Sequence, residues 1–283
     1  MNYLKTAVLL AVLTAFLVLI GGSVGGKQGA LMALILAGAM NFGTYWFSDK
    51  IVLAMYRAKP VDETASPALY GIVRELTMKA GMPMPKVYIM DNETPNAFAT
   101  GRNPEHSAVA VTTGIMKLLS KEELTGVIGH ELSHIANRDI LIATIAATIA
   151  GAISYISHFA YYASMFGGRS GDDDRGSNPI VGIVMMIVAP IAAMIIQMAI
   201  SRSREYGADF RGAQIAGNPL YLANALRKLE YYNKRVPMHM PSEATAHMFI
   251  VNPLSGGSLI KLFSTHPPIE ERVKRLEGMV GKV

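Results

Sequence analysis

The chain contains no cysteine. That absence excludes disulfides and thiolate metal ligands together, so any metal site must be built from histidine and carboxylate. Charge is scarce as well. Only 17% of the 283 residues are charged, against 51% hydrophobic. With a mean hydropathy of +0.29, this balance points to an integral membrane protein rather than an ordinary soluble domain. The formal net charge of +5 is modest, and the basic residues sit beside apolar runs, a pattern that suits anionic headgroups and not nucleic acid. The sequence has no DNA- or RNA-binding motif and no internal repeat. Proline is missing between Pro104 and Pro179, so nothing there interrupts a helix.

Within that proline-free stretch lies Gly129-His130-Glu131-Leu132-Ser133-His134, an H-E-x-x-H motif. Residues i and i+4 stack on one helix face, so His130 and His134 can aim both imidazoles at one metal ion. Glu131 falls beside the metal, where it can take a proton from water as the general base of a zinc peptidase does. Ser120-Lys121-Glu122-Glu123 reads as the capping box that starts this helix.

Four apolar runs frame the motif. Residues 4–26 and 29–48 are each long enough to span ~30 Å of hydrocarbon, and the glycine-rich stretch Gly21–Gly26 turns one into the other. Residues 1–48 are therefore expected to form a transmembrane hairpin. A signal peptide is the competing assignment, but no A-x-A-like cleavage site follows Ile20. Tyr45, Trp46 and Phe47 suit an aromatic belt, and Asp49, Lys50, Arg57 and Lys59 follow at once, placing the next segment in the cytoplasm. Ile140–Phe166 and residues 179–200 form a second hairpin over 140–200, with Pro190 kinking its second leg. His158 reads as a polar tip at the far headgroups, and the linker with Asp172, Asp173 and Asp174 as a plain outer loop.

The polar segments make the two halves of a cytoplasmic domain, 49–139 and 201–283. In the first, Ser66-Pro67 opens a helix that runs to about Ala80 and stops at Gly81-Met82-Pro83. Lys86–Met90, Asn96–Thr100 and His106–Val111 read as strands of a small antiparallel sheet. An edge strand there could pair with an extended peptide lying across the metal. In the second half, Asn218-Pro219 starts a helix to about Tyr232. Thr265-His266-Pro267-Pro268 leads into a last amphipathic helix with Ile269, Val273 and Leu276 on one face. The fold class is α+β: four transmembrane helices and a mostly helical cytoplasmic domain with one small sheet.

A catalytic zinc usually takes three protein ligands and an open position. The motif ends about six residues before the third run, and Glu205 lies about five residues after the fourth. An antiparallel hairpin of those runs returns Glu205 to the face that holds His134. The competing role for Glu205 is an interfacial glutamate paired with Arg202. Asp209, one turn further on, is placed to orient a ligand histidine from behind. His239, Glu243 and His247 imitate a second metal face, but Pro241 interrupts it. His106 sits beside a turn and reads as solvated.

Taken together, His130–Asp139, the Glu205–Asp209 segment and the four-run topology resemble the HtpX-type bacterial membrane metalloproteases, gluzincins related to the CAAX prenyl proteases. The likeness covers essentially the whole chain. It implies one zinc ion per chain on His130, His134 and Glu205, with Glu131 as base. It further implies that Asn96, Ala97, Phe98 and Ala99 form the substrate-binding edge strand, and that His266 and Arg272 help stabilise the transition state. The function so implied is cleavage of misfolded or damaged membrane proteins at the cytoplasmic side of the bacterial inner membrane, with both termini inside. Such a role overlaps with other membrane quality-control proteases. The alternatives are a prenyl-type protease with a dedicated substrate and a non-catalytic zinc-binding scaffold.

Overall fold

The computed structural model describes residues 2–141, 143–145, 202–233, 250 and 267–283. Most of the second apolar hairpin lies outside these residues, as do His158, Asp172–Asp174, His239, Glu243, His247 and His266.

The chain opens with α1, Asn2–Met55, whose apolar composition runs through a sharp break at Gly25 and Gly26. Gly26 has φ 57° and ψ −144° there, a conformation that a side chain would strain. The break folds α1 back on itself, and Asn41 Nδ2 donates across the two legs to Thr14 Oγ1 at 2.8 Å. Residues 2–55 thus form a helical hairpin, whose second leg runs seven residues past the end of the apolar run at residue 48. Among the described residues one helix, Gly25–Met55, is long and apolar enough to cross a membrane. Its side chains face outward: Leu31 is 58% exposed, Met32 71% and Ile35 64%.

Beyond the hairpin come β1 (Lys59–Val61), α2 (Pro67–Ala80), β2 (Lys86–Met90), β3 (Ala97–Asn103) and β4 (His106–Thr112). Ser66 stands at the N-cap of α2 without a side-chain cap bond. Asp62 Oδ1 instead accepts from the Thr64 and Ala65 N–H groups and shapes the entry turn. Gly81 closes α2 in the left-handed conformation.

The sheet differs from the expected antiparallel one. Its order is β1-β2-β4-β3, and the central β2–β4 pairing is parallel. The cause is the burial of β4, which is covered from Ser107 to Thr112. A strand buried on both faces takes the middle of a sheet. The β3–β4 hairpin therefore inserts β4 against β2 and leaves β3 at the edge. β1 escapes sequence reading because it is three residues long and carries Pro60, tolerable only on an edge.

Next come α3 (Thr113–Leu118), α4 (Lys121–Ala136), α5 (Arg202–Ala216), α6 (Pro219–Asn233) and α7 (Ile269–Glu277). α4 runs through the centre of the core. Leu124, Val127, Ile128, Leu132 and Ile135 are all buried against α2, the sheet, α5 and α6. Val273 and Leu276 of α7 join this core, as their spacing predicts. A second cluster, with Val52, Leu53 and Phe98, seats the sheet on the inner end of α1.

Candidate metal centre

The site begins with the way α4 is pinned. Ser120 Oγ accepts from the Glu123 N–H at 3.3 Å, and Glu123 Oε2 accepts from the Ser120 N–H at 2.8 Å. Lys228 of α6 adds a 2.7 Å bond to the same Glu123 oxygen. Further along, α5 lies directly on α4. A Cβ built on Gly212 would fall 2.8 Å from the His130 Cα and N atoms, so only glycine permits this approach. Glu205, Asp209 and Gly212 share one face of α5 at i, i+4 and i+7, which points both carboxylates at the motif.

The Nε2 atoms of His130 and His134 lie 3.2 Å apart. Glu205 Oε2 is 3.7 Å from the first, and Glu205 Oε1 is 3.7 Å from the second. His130 Nδ1 meets Asp209 Oδ1 at 2.9 Å, and His134 Nδ1 meets Asp139 Oδ2 at 3.3 Å. An imidazole that donates from Nδ1 to a carboxylate presents its Nε2 lone pair on the other side. Both lone pairs thus converge with Glu205 on one point. A tetrahedral ion with bonds of ~2.0–2.1 Å would hold its ligand atoms roughly 3.3–3.4 Å apart, close to the three separations found. The field asks for a cation as well. Burial alone would lower the pKa of His134, but the hydrogen bond to Asp139 and the charges of Glu205, Asp139 and Glu131 push it up to about 9.

Glu131 is buried against the same point. Its Oε2 accepts from the Ala99 N–H at 2.9 Å. Burial raises its pKa, outweighing the pull of the two histidines. A carboxylate with raised proton affinity beside a metal position is suited to general base work.

The four residues of the expected substrate strand separate. Ala97, Phe98 and Ala99 lie in β3 at the sheet edge. Ala99 turns its N–H away from β4 toward Glu131. Phe98 points at α1, with its ring centroid 5.3 Å from that of Tyr56, so its side chain faces the hairpin while its backbone lies on the β4 side of the strand. Asn96 is buried just before the strand, and its Oδ1 accepts from the Ile250 N–H at 3.3 Å.

Arg272 occupies a different place from the one expected. Instead of facing a substrate it is the largest fully buried side chain among the described residues. It donates to both oxygens of Asp209, from Nε at 2.9 Å and from Nη2 at 2.7 Å, and from Nη1 to the Ile250 carbonyl at 3.2 Å. The reason is its position on the inner face of α7, beside Val273 and Leu276. Burial would raise the Asp209 pKa, but the Arg272 guanidinium overrides it and holds the carboxyl well below the usual range. Sequence reasoning missed Asp139 as a partner of His134, and it missed the Gly212 contact. Asp139 could have been found from its position just past the end of the motif helix. The Gly212 contact leaves no signal in the α4 motif itself.

This arrangement can be compared with known proteins. The model of Peptidase family M48 matches residues 64–280. The chain is 61% identical to a Protease HtpX homolog of Syntrophotalea carbinolica over 279 residues, covering 99% of each chain. It is 65% identical to a Protease HtpX homolog of Thermodesulfovibrio yellowstonii over 282 residues, covering all of both. Among solved structures it is similar in fold to S. mikatae Ste24p, with a TM-score of 0.54 at 18% identity. That match covers 97% of this chain and spans 64% of the other's length. The match of the family model across the whole described site, together with relatives this similar over their full length, shows that the chain belongs to Peptidase family M48 and is a metalloprotease.

Proposed function

We propose that this metalloprotease is a zinc endopeptidase of the bacterial inner membrane that cuts misfolded or damaged membrane proteins on the cytoplasmic side. The observation that carries the proposal is the convergence of His130, His134 and Glu205 on one point, with Glu131 alongside. Two imidazoles and a carboxylate are a donor set that zinc accepts readily. The ion when bound supplies Lewis acidity, polarising the scissile carbonyl and lowering the pKa of water. Glu131 takes the proton of the attacking water and passes it to the leaving amine. The outer edge of β3, through the Ala97 backbone and the Ala99 carbonyl, offers backbone groups to an extended substrate. Asp209 and Arg272 hold His130 in orientation, and His266 carries the family's transition-state role. The exposed apolar surface of Gly25–Met55 supports a membrane setting, and Lys50, Arg57 and Lys59 at its end support a cytoplasmic domain. Loops and juxtamembrane segments are the accessible substrates.

The test is metal content together with proteolysis of a membrane-protein substrate. Glu131→Gln keeps zinc and loses activity by about 10²–10⁴-fold, the usual size of a general-base contribution. Equal cleavage by that variant at equal zinc content refutes the mechanism. Glu205→Ala loses both zinc and activity; unchanged zinc removes Glu205 from the site. A dedicated prenyl-type substrate would show itself as cleavage of one lipidated peptide and of no misfolded membrane protein.

A further inference from the structure

A groove of about 720 Å³ lies where the inner end of α1 meets the β3–β4 turn and the start of β2. Phe42, Trp46 and Phe47 form its apolar side, and Lys50, Lys86 and Arg102 its basic side. Among the described residues none of these three cations is paired with a carboxylate. Elsewhere on the domain Arg74, Lys79, Lys117, Lys228 and Arg275 each pair with a glutamate. Here the cations lean on rings instead. The Arg102 guanidinium stands 4.5 Å from the Trp46 ring centroid, and Lys50 Nζ stands 5.5 Å from that of Phe47. A guanidinium stacked by its face keeps its edge N–H groups for a phosphate or carboxylate. Asp49 and Glu105 also reach the rim, so the preference is for one anionic group among the cations rather than for a heavily charged polymer.

The apolar side decides what kind of anion fits. Phe42 is 63% exposed and Trp46 42% exposed, and they continue the outward apolar face of α1 into the groove. A free phosphate would leave that surface in water, whereas a phospholipid covers it with an acyl chain while its headgroup meets the cations. We infer that this groove binds one phospholipid with an anionic headgroup, anchoring the β3–β4 hairpin, and hence the free edge of β3, at the membrane surface. The inference rests on the membrane reading of α1.

Trp46 is the only tryptophan in the chain, so its fluorescence reports the groove directly. The full chain is placed in phosphatidylcholine bilayers containing a small fraction of dibrominated phosphatidylglycerol or dibrominated phosphatidylcholine, and quenching of Trp46 is measured. In the parent, the brominated phosphatidylglycerol is expected to quench at a roughly 10–30-fold lower mole fraction, the size expected from two basic contacts to an anionic lipid. K50Q/K86Q, which leaves Arg102 over Trp46, erases that preference. K79Q/K117Q, which removes the same charge far from the groove, keeps it. Equal quenching by both lipids in the parent, or a preference retained in K50Q/K86Q, overturns the site and leaves the membrane reading standing. Quenching by neither lipid overturns both. Relief of the phosphatidylglycerol quenching by inorganic phosphate at constant ionic strength would make this a phosphate site and overturn the lipid assignment.

Discussion

His130 and His134 stand one turn apart on the same helix, yet they are held by opposite means. His130 is 1% exposed and its Nδ1 meets Asp209 at 2.9 Å; Asp209 is itself gripped twice by the buried Arg272. His134 is 17% exposed at its side chain and meets Asp139 at the longer distance of 3.3 Å. The other oxygen of Asp139 has no hydrogen-bond partner among the described residues. The supports also differ in origin. Asp209 arrives from a distant helix, whereas Asp139 is folded back by the turn that ends α4, where Arg138 has φ 58° and the Asp139 N–H bonds the His134 carbonyl at 3.2 Å. One histidine is set by the tertiary core and the other by a local turn. The inner support therefore couples the metal position to the stability of the whole domain, and the outer one does not.

The strongest way to break this contrast is to remove one member of the inner pair. Arg272→Met leaves the Asp209 charge buried without its partner, and a broken buried pair costs about 3–5 kcal/mol. Denaturant unfolding of the metal-free protein should show a loss of that order. A loss below about 1 kcal/mol would mean that Asp209 is solvated and the inner support is no tighter than the outer. Next in size is Gly212→Ala. Its methyl would sit 2.8 Å from the His130 backbone, forcing α5 away from α4, and overpacking of this kind costs about 1–3 kcal/mol. Because Glu205 rides on α5, zinc affinity is expected to fall with stability. A stable Gly212→Ala protein with unchanged zinc affinity would show that the close approach does not position Glu205.

Stability and orientation can be separated at the same place. Asp209→Leu with Arg272→Met replaces the ion pair by apolar side chains, and such replacements are often neutral or stabilising. The His130 Nδ1 then has no acceptor, and loss of such a partner typically lowers metal affinity by about 10–100-fold. The double variant should therefore unfold near the parent's denaturant midpoint while its zinc dissociation constant rises by that factor. Parental zinc affinity in a well-folded double variant would remove Asp209 from any orienting role.

The same contrast explains what the sequence made legible. The motif helix was visible because its signals are local: the capping box at Ser120, the four-residue histidine spacing, and the absence of proline. Glu205 and Asp209 were reachable because the apolar runs suggested how the chain returns, and their own spacing of four puts them on one face. The parallel pairing of the sheet is not legible because β4 is apolar and rich in small residues, and nothing in such a strand tells which neighbour will lie parallel to it. The resemblance assigns Arg272 to transition-state stabilisation from family spacing, which carries no information about burial. A buried arginine reads in sequence as an ordinary helix cation. Only the inward position of Val273 and Leu276 betrays it, since residue 272 must then also fall near the inner face of α7.

The smallest effect belongs to the outer support, and it is the one that sharpens the comparison most. Asp139→Asn removes the charge from His134's partner but leaves an oxygen able to accept from Nδ1. The charge of the part-buried Arg204 acts on Asp139, but among the described residues no cation hydrogen-bonds to it as Arg272 does to Asp209, and its turn is formed by backbone bonds that asparagine keeps. Unfolding free energy should thus change by less than about 1 kcal/mol, within the range of ordinary polar substitutions. Zinc affinity should fall at the low end of the range for such partners, about 10-fold. Titration of the metal into the Asp139→Asn and Asp209→Leu/Arg272→Met proteins, side by side, measures the difference between the two supports. If Asp139→Asn weakens zinc as much as the inner double variant, the two histidines are held equally firmly and the distinction between a core-set and a turn-set ligand fails.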